Sequence, residues 1–147
     1  MDEQPCLDHI GIAVRDLDAA MKTFSQLLNC DIDAPEVLEA RGIAVAFVGN
    51  QTPRIELLGP IHADNELVSF LTKRGEGIHH LCVRVHDIEK AVQKLQAQGA
   101  RITAGGIRAG AHQSRVAFIH PKDTHGVLLE LLEQNKPPTP ASARQQG

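Results

Sequence analysis

The sequence predicts an α+β fold built from two tandem βαβββ modules, paired into a cupped, barrel-like mixed sheet with helices outside. Three observations carry that prediction. Leu7-Asp8-His9-Ile10-Gly11-Ile12-Ala13-Val14 and Ile78-His79-His80-Leu81-Cys82-Val83-Arg84-Val85 are two versions of one alternating strand, with His80 as the counterpart of His9. The offset that takes His9 to His80 also takes Val14 to Val85, Asp16 to Asp87 and Ala20 to Ala91, and a repeat of this length marks two copies of one supersecondary unit. Each copy also ends on an apolar strand interrupted by a carboxylate, Ile55-Glu56-Leu57-Leu58 and Leu129-Glu130-Leu131-Leu132.

Each element has its own local reason. Cys6 to Val14 alternates as a strand, with Ile10, Ile12 and Val14 on one face and His9, Gly11 and Ala13 on the other. The second face sets a histidine beside two small residues, which leaves room around an imidazole. Asp16 is a natural N-cap, and Leu17, Ala20, Met21, Phe24 and Leu28 follow at helical spacing until Asn29. Asp31 to Glu39 has no clear period. Ile43 to Val48 and Arg54 to Leu58 read as strands around the turn residues Gly49 to Pro53. Asp64-Asn65-Glu66 caps a connecting helix that Gly75 and Gly77 end. In the second copy Leu81, Val83 and Val85 face a helix, while His80, Cys82 and Arg84 face away. That helix carries Ile88, Ala91, Val92 and Leu95 and closes at Gly99. A short strand over 101–103, a glycine-rich loop over 105–111, a strand over 115–119 and a last strand over 127–132 complete the unit. The expected organisation is one domain over residues 1–133, with module 1 at about 6–60, the connecting helix at about 64–75 and module 2 at about 78–133. The Pro-rich remainder, 134–147, is expected to be a disordered tail.

The bulk properties narrow the function. The chain of 147 residues is long enough for one ordinary core, and no apolar run could cross a membrane. The acidic, polar start resembles neither a secretory signal nor an Arg-rich transit peptide. Three cysteines without C-x-x-C spacing fit a reducing, cytoplasmic setting. A net charge of −3 and 3% aromatic content supply neither a basic face nor a base-stacking platform, so nucleic acid is not an expected partner.

The chemistry rests on His9, Glu56, His80 and Glu130. Burying a lone ionised glutamate costs roughly several kcal/mol unless it is paired or bound to metal. A single strand histidine is more often a structural residue than a ligand, and a single glutamate at a strand end is more often exposed. The same two residue types at matched places in both copies reverse those odds. The step from Glu56 to Glu130 is three positions longer than the step from His9 to His80, so the second unit should hold a slightly longer loop. If the copies pair about a pseudo-twofold axis, two imidazoles and two carboxylates meet, a donor set that suits a divalent first-row metal.

The chain resembles the vicinal-oxygen-chelate superfamily of glyoxalase I, extradiol dioxygenases and bleomycin-resistance proteins. Within it the likeness is greatest to the methylmalonyl-CoA epimerases, over nearly the whole chain to Glu133. The residues that carry it are Asp8 to Val14, Arg54 to Pro60, Lys73 to His80, and His120-Pro121-Lys122 with Gly126 to Glu130. The resemblance implies a glyoxalase-like fold and a divalent ion (Co, Ni, Zn or Mn) held by His9, Glu56, His80 and Glu130. It also implies a CoA-thioester substrate, a homodimer, and 1,1-proton transfer through a metal-stabilised enolate with Glu130 as one base. In the family the second base is a glutamate two residues before the glycine that opens the third strand. Here that glycine is Gly42 and the position holds Ala40. The adjacent Glu39 becomes the candidate. A one-residue bulge would bring it inward, strand parity turns it out, and a solvated surface glutamate is the bland alternative.

Other residues carry less. Strand parity sets His79 on the face opposite His80, as a packing or supporting residue. Arg108, Arg115, Lys122, Lys73 and Arg74 are candidates for CoA phosphates. His112 and His120 are expected near the pocket, and Cys82 beside the ion without binding it. A glyoxalase I-type lyase shares the ligand set, a dioxygenase would need only three ligands, and a non-catalytic binding module of this fold commonly lacks the metal set.

Overall fold

The computed structural model describes residues 4–134. Its centre is one eight-stranded sheet. The strands are β1 (Cys6–Ala13), β2 (Glu36–Leu38), β3 (Ile43–Val48), β4 (Arg54–Pro60), β5 (Gly77–Arg84), β6 (Arg108–Ala109), β7 (Ser114–Ile119) and β8 (Leu129–Gln134). Their order, β2-β3-β4-β1-β5-β8-β7-β6, is two copies of one four-stranded order back to back. The halves meet where β1 and β5 run antiparallel, and each of those strands has a parallel partner, β4 or β8, on its other side. This is the mixed, curled sheet expected of the glyoxalase-like fold.

Three helices complete it: α1 (Leu17–Leu28), α2 (Glu66–Arg74) and α3 (Ile88–Ala97). The repeat-related caps form alike. Asp16 accepts from the Ala19 N–H at 3.0 Å and Asp87 from the Lys90 N–H at 3.1 Å, each filling an otherwise orphaned donor of the first helical turn. Asn65 caps α2 in the same way. Ile88 and Val92 of α3 pack on Ala117, Ile119 and Leu131 across the outer face of the second half. Leu67 and Leu71 of α2 pack instead with Ala13, Ile43, Val45, Phe47 and Leu58.

The longer loop of the second copy can be located. Phe118 follows Phe47 by the offset of the histidines, yet Glu130 follows Glu56 by three positions more. Phe47 faces Glu56 across β3–β4, and Phe118 faces Glu130 across β7–β8. The insertion therefore lies in the β7–β8 turn, where Pro121–Asp123 forms a short 3-10 turn started by the His120 side chain.

Several boundaries differ from the sequence reading. The expected strand over 101–103 reduces to one bridge between Ile102 and Ile119. The last strand starts at Leu129, because the turn through Gly126 (φ +91°) and a Thr124–Val127 hydrogen bond occupy the preceding residues. It runs on to Gln134, which pairs with Ser114, so the expected tail cannot begin at 134; its remainder, 135–147, lies outside the described residues. The glycine-rich loop contains β6. The segment without a clear period forms β2 and a 3-10 turn, Glu39–Arg41. Among the described residues no helix is long and apolar enough to cross a membrane.

Candidate metal centre and its cavity

His9 and His80 come from the two central strands, and Glu56 and Glu130 from their parallel neighbours. Across these strands Gly11 stands opposite both His80 and Glu56, and Cys82 opposite both His9 and Glu130. All four side chains project from the same face of the sheet and all four are buried, at 1–6% exposure. The two Nε2 atoms lie 3.1 Å apart. Glu130 Oε1 is 3.0 Å from His9 Nε2 and 3.1 Å from His80 Nε2, while Glu56 Oε1 is 3.6 and 3.5 Å from them. Ligand atoms about 2.1 Å from an ion stand about 3.0 Å apart in cis octahedral positions and about 3.4 Å apart in a tetrahedron. The observed separations span that range: His9, Glu56 and His80 form a group that could hold a metal ion, and Glu130 Oε1 lies against both of its imidazoles. Glu130 Oε1 is buried and finds no well-aligned hydrogen-bond donor, an arrangement a cation would relieve.

A second layer fixes the imidazoles, and it arises from two β-bulges. Between Leu7 and His9 the β1–β5 register skips Asp8, and between Gly11 and Ile12 it skips His79. Asp8 and His79 are themselves repeat partners, related by the offset of the two histidines. Each bulged residue turns back onto the histidine that follows it. Asp8 Oδ2 lies 2.7 Å from His9 Nδ1, and His79 Nδ1 lies 2.9 Å from His80 Nδ1. The Asp8 contact favours a proton on His9 Nδ1, so that His9 in its neutral form presents the Nε2 lone pair to the centre. Arg84 holds Asp8 in turn, at 2.6 and 3.1 Å. The expectation that His79 faces away from His80 is thus corrected: parity counts one residue per step, and a bulge breaks the count.

Electrostatics follow from this crowding. Burial alone would push His9 down, but Asp8, Glu130 and Glu56 outweigh it and raise its pKa to about 10. Burial also opposes ionisation of Glu130, yet the close imidazoles of His80 and His9 hold its carboxyl below the ordinary range. Glu56 is raised, chiefly by burial. Burial pushes His79 down to about 3, so it is neutral. Metal-free, the cluster concentrates negative charge and takes up a proton, as a cation site should. Asp8, His9 and Cys82 also lie close together. Burial raises the Cys82 thiol, however, so it stays protonated, and both Asp8 oxygens are already engaged.

Phe47 and Phe118 stand edge-on to His9 and His80, with ring centroids 5.5 and 5.7 Å away. Their spacing along the chain, equal to that of the histidines, was the signal in the sequence that could have found this collar. Beside the cluster is an enclosed space of about 20 Å³, room for one water-sized sphere, lined by His9, Glu56, Glu130, Arg41 and His112 among others. Arg41 also lines a larger open cavity of about 320 Å³ together with Arg108, His79, Glu39, His62 and Asn65. Glu39 sits at that cavity on its 3-10 turn. Its side chain is 76% exposed and 3.5 Å from His62, and it touches none of the four clustered residues. Arg115 is occupied by Glu89 and Glu133. Lys73 and Arg74 line a further, more apolar cavity of about 370 Å³ with Phe70, Ile78 and Val127, and this cavity reaches His79 and His80.

Known proteins match this architecture. Residues 8–118 fit the family described as the glyoxalase/bleomycin resistance protein/dioxygenase superfamily. An ethylmalonyl-CoA/methylmalonyl-CoA epimerase of Cereibacter sphaeroides is 39% identical over 127 residues, 85% of this chain and 95% of that protein. The crystal structure of methylmalonyl-CoA epimerase from Mycobacterium tuberculosis superposes with a TM-score of 0.82 at 38% identity, covering 89% of each chain. A Streptomyces coelicolor methylmalonyl-CoA epimerase in complex with 2-nitronate-propionyl-CoA superposes with a TM-score of 0.84 at 33% identity, over 91% of this chain and all of that one. Similarity to a lactoylglutathione lyase of Arabidopsis thaliana is far lower, 22% over 134 residues, 90% of this chain and 45% of that protein. The chain belongs to the methylmalonyl-CoA epimerases of the glyoxalase/bleomycin resistance/dioxygenase superfamily.

Proposed function

We propose that the chain interconverts the (R) and (S) forms of methylmalonyl-CoA by proton transfer at the carbon between the carboxylate and the thioester carbonyl, and that His9, Glu56, His80 and Glu130 bind a divalent ion for this purpose. The observation that carries the reading is the convergence of two imidazole nitrogens and two carboxylate oxygens, buried beside an open cavity. A divalent ion bound there supplies Lewis acidity to the substrate oxygens, which makes the α-hydrogen removable near neutral pH. The protein does the rest. Asp8 and His79 orient the imidazoles, and the Phe47 and Phe118 rings pack edge-on against them. Glu130 takes the α-proton, and a second group must return one to the opposite face. Glu39, on the cavity wall beside Ala40, is the candidate for that second role. A divalent ion such as Co, Ni, Zn or Mn and a homodimeric assembly accompany the proposal on the strength of the family resemblance, and a cytoplasmic setting on that of three cysteines without C-x-x-C spacing.

The test is proton NMR of single-epimer methylmalonyl-CoA in deuterated water, with and without added cobalt. The expected result is metal-dependent loss of the α-hydrogen signal together with racemisation at C2. Retention of that signal, with turnover of methylglyoxal and glutathione instead, would overturn the proposal in favour of a lyase.

A further inference from the structure

Two guanidinium groups converge where the open cavity meets the buried cluster. Arg41 comes from the 3-10 turn before β3 and Arg108 from the short edge strand β6, so each half of the repeat contributes one. Both lie 5.5 Å from the centroid of the Phe118 ring, whose other neighbour is His80. Like charges brought together in a half-buried place oppose folding unless an anion joins them. Protein groups do not fully supply that anion. Among the described residues Arg41 makes no hydrogen bond or ion pair, and Glu130, Glu56 and Glu66 attract it only through space. Arg108 meets only the exposed Glu66 carboxylate at 3.8 Å, and its Nε is buried without an acceptor. Unlike Arg115 or Arg101, which are each engaged by acidic partners at about 3 Å, these two forks remain open.

We propose that Arg41 and Arg108 together form the subsite for the free carboxylate of the acyl group, so that they select acyl-CoA thioesters bearing an α-carboxylate over neutral acyl-CoAs. This rests on the epimerase reading and specifies how that reading distinguishes its substrate. The chemistry fits the group: a planar guanidinium gives a carboxylate paired N–H donors. The place fits too. Arg41 lines both the space beside His9, Glu56 and Glu130 and the open cavity. A carboxylate it holds therefore lies next to the proposed ion, with the thioester arm running out into the cavity. Arg41 immediately follows Ala40, the position at which this chain lacks the family glutamate.

The test compares malonyl-CoA with propionyl-CoA, which share every CoA contact and differ in the carboxylate. Both are titrated calorimetrically into cobalt-loaded wild type, Arg41→Gln and Arg108→Gln. Circular dichroism checks each variant, and Arg108→Gln, altered on a short edge strand, carries the test if Arg41→Gln does not fold. Wild type should prefer malonyl-CoA, and each variant should lose about tenfold or more of that preference while its propionyl-CoA affinity stays within about threefold. Arg108→Lys, which keeps the charge without the fork, should recover part of it. An unchanged preference overturns the inference. So does an equal loss for both ligands, which would assign the arginines to the CoA moiety. Exchange of the α-hydrogen of methylmalonyl-CoA by wild type is followed in parallel. Its absence would sink the epimerase reading, whereas its presence with an unchanged preference would sink only the arginine subsite.

Discussion

Replacing Gly11 by alanine should abolish tight metal binding while leaving the fold intact. Gly11 stands opposite His80 across the antiparallel centre of the sheet. A Cβ built on it would lie 2.7 Å from His80 Nε2 and closer still to Cε1 and Nδ1. Ordinary contact needs about 3.4 Å or more, so the ring must move by about an ångström. Metal–nitrogen bonds tolerate about 0.2 Å. Both central strands are held by ladders on either side, so the imidazole yields before the backbone does. Misplacing supporting groups costs about 10–100-fold in metal affinity, and displacing a ligand outright should cost at least the upper end of that range. The overpacking itself should cost about 1–3 kcal/mol, a fall in melting temperature of about 3–10 °C at this size. Cobalt titration by visible absorption measures the first effect, and thermal melting of metal-free protein the second. A Gly11→Ala protein that binds cobalt within about threefold of wild type, with an unchanged melting temperature, would refute the reasoning. It would mean that His80 is not held against Gly11, or that His80 is not a ligand.

Four further outcomes follow from the geometry. Asp8→Asn should weaken cobalt binding about 10–100-fold with little loss of secondary structure, because it removes the carboxylate that fixes the His9 tautomer; an unaltered titration would contradict this. His9 in metal-free protein sits at about 10, above its ordinary value, so below that pH the incoming ion competes with a proton. Apparent cobalt affinity should therefore rise about tenfold per pH unit between 7 and 9, with about one proton released per ion when titrations in buffers of different ionisation heat are compared; a flat profile would be incompatible. A thiol reagent should label exposed Cys6 readily and leave buried Cys82 unlabelled until the chain is unfolded, which peptide mapping by mass spectrometry reads directly. Glu39→Gln should lower the epimerisation rate about 100-fold or more yet still permit α-hydrogen exchange on one epimer; unchanged turnover would remove Glu39 from the mechanism.

Much of this architecture can be read from the sequence because it is written twice. A lone His9 or a lone Glu56 in an apolar strand is ambiguous. The repetition at His80 and Glu130 supplies the contrast, and the shared offset pairs the strands without any knowledge of their register. What the sequence hides depends on that register. Alternation places His79 opposite His80, and it fails because the β1–β5 ladder slips by one residue on each strand, at Asp8 and at His79. A bulge leaves no local signature in Leu7-Asp8-His9 or Ile78-His79-His80; it exists only between two paired strands. Arg41 is hidden for a similar reason. Its inward position comes from the 3-10 turn over Glu39–Arg41 and a left-handed Gly42 (φ +67°), in a segment whose sequence has no period. Gly11 lies between these cases. The sequence indicates that a small residue leaves room for an imidazole, and the imidazole it accommodates belongs to the neighbouring strand.

Duplication also explains how so many ionisable groups can be buried on one sheet face. A half-site would hold one histidine, one glutamate and one bulged neighbour, and on its own would strand a carboxylate at a cost of several kcal/mol. Joining two half-sites across β1–β5 places each carboxylate within 3.6 Å of both imidazoles, so the cost is shared and a dication can cancel what remains. The second layer is where the halves diverge. Asp8 brings a negative charge, balanced by Arg84, while its repeat partner His79 is neutral and faces the open cavity. An aspartate at position 79 would set a further anion beside the place where the carboxylate-bearing acyl group must enter. A neutral imidazole performs the same orienting contact and adds no further anion to the side on which Arg41 and Arg108 stand. The two halves therefore build a symmetric ion site within an asymmetric field, and substrate should enter through the open cavity that His79 lines.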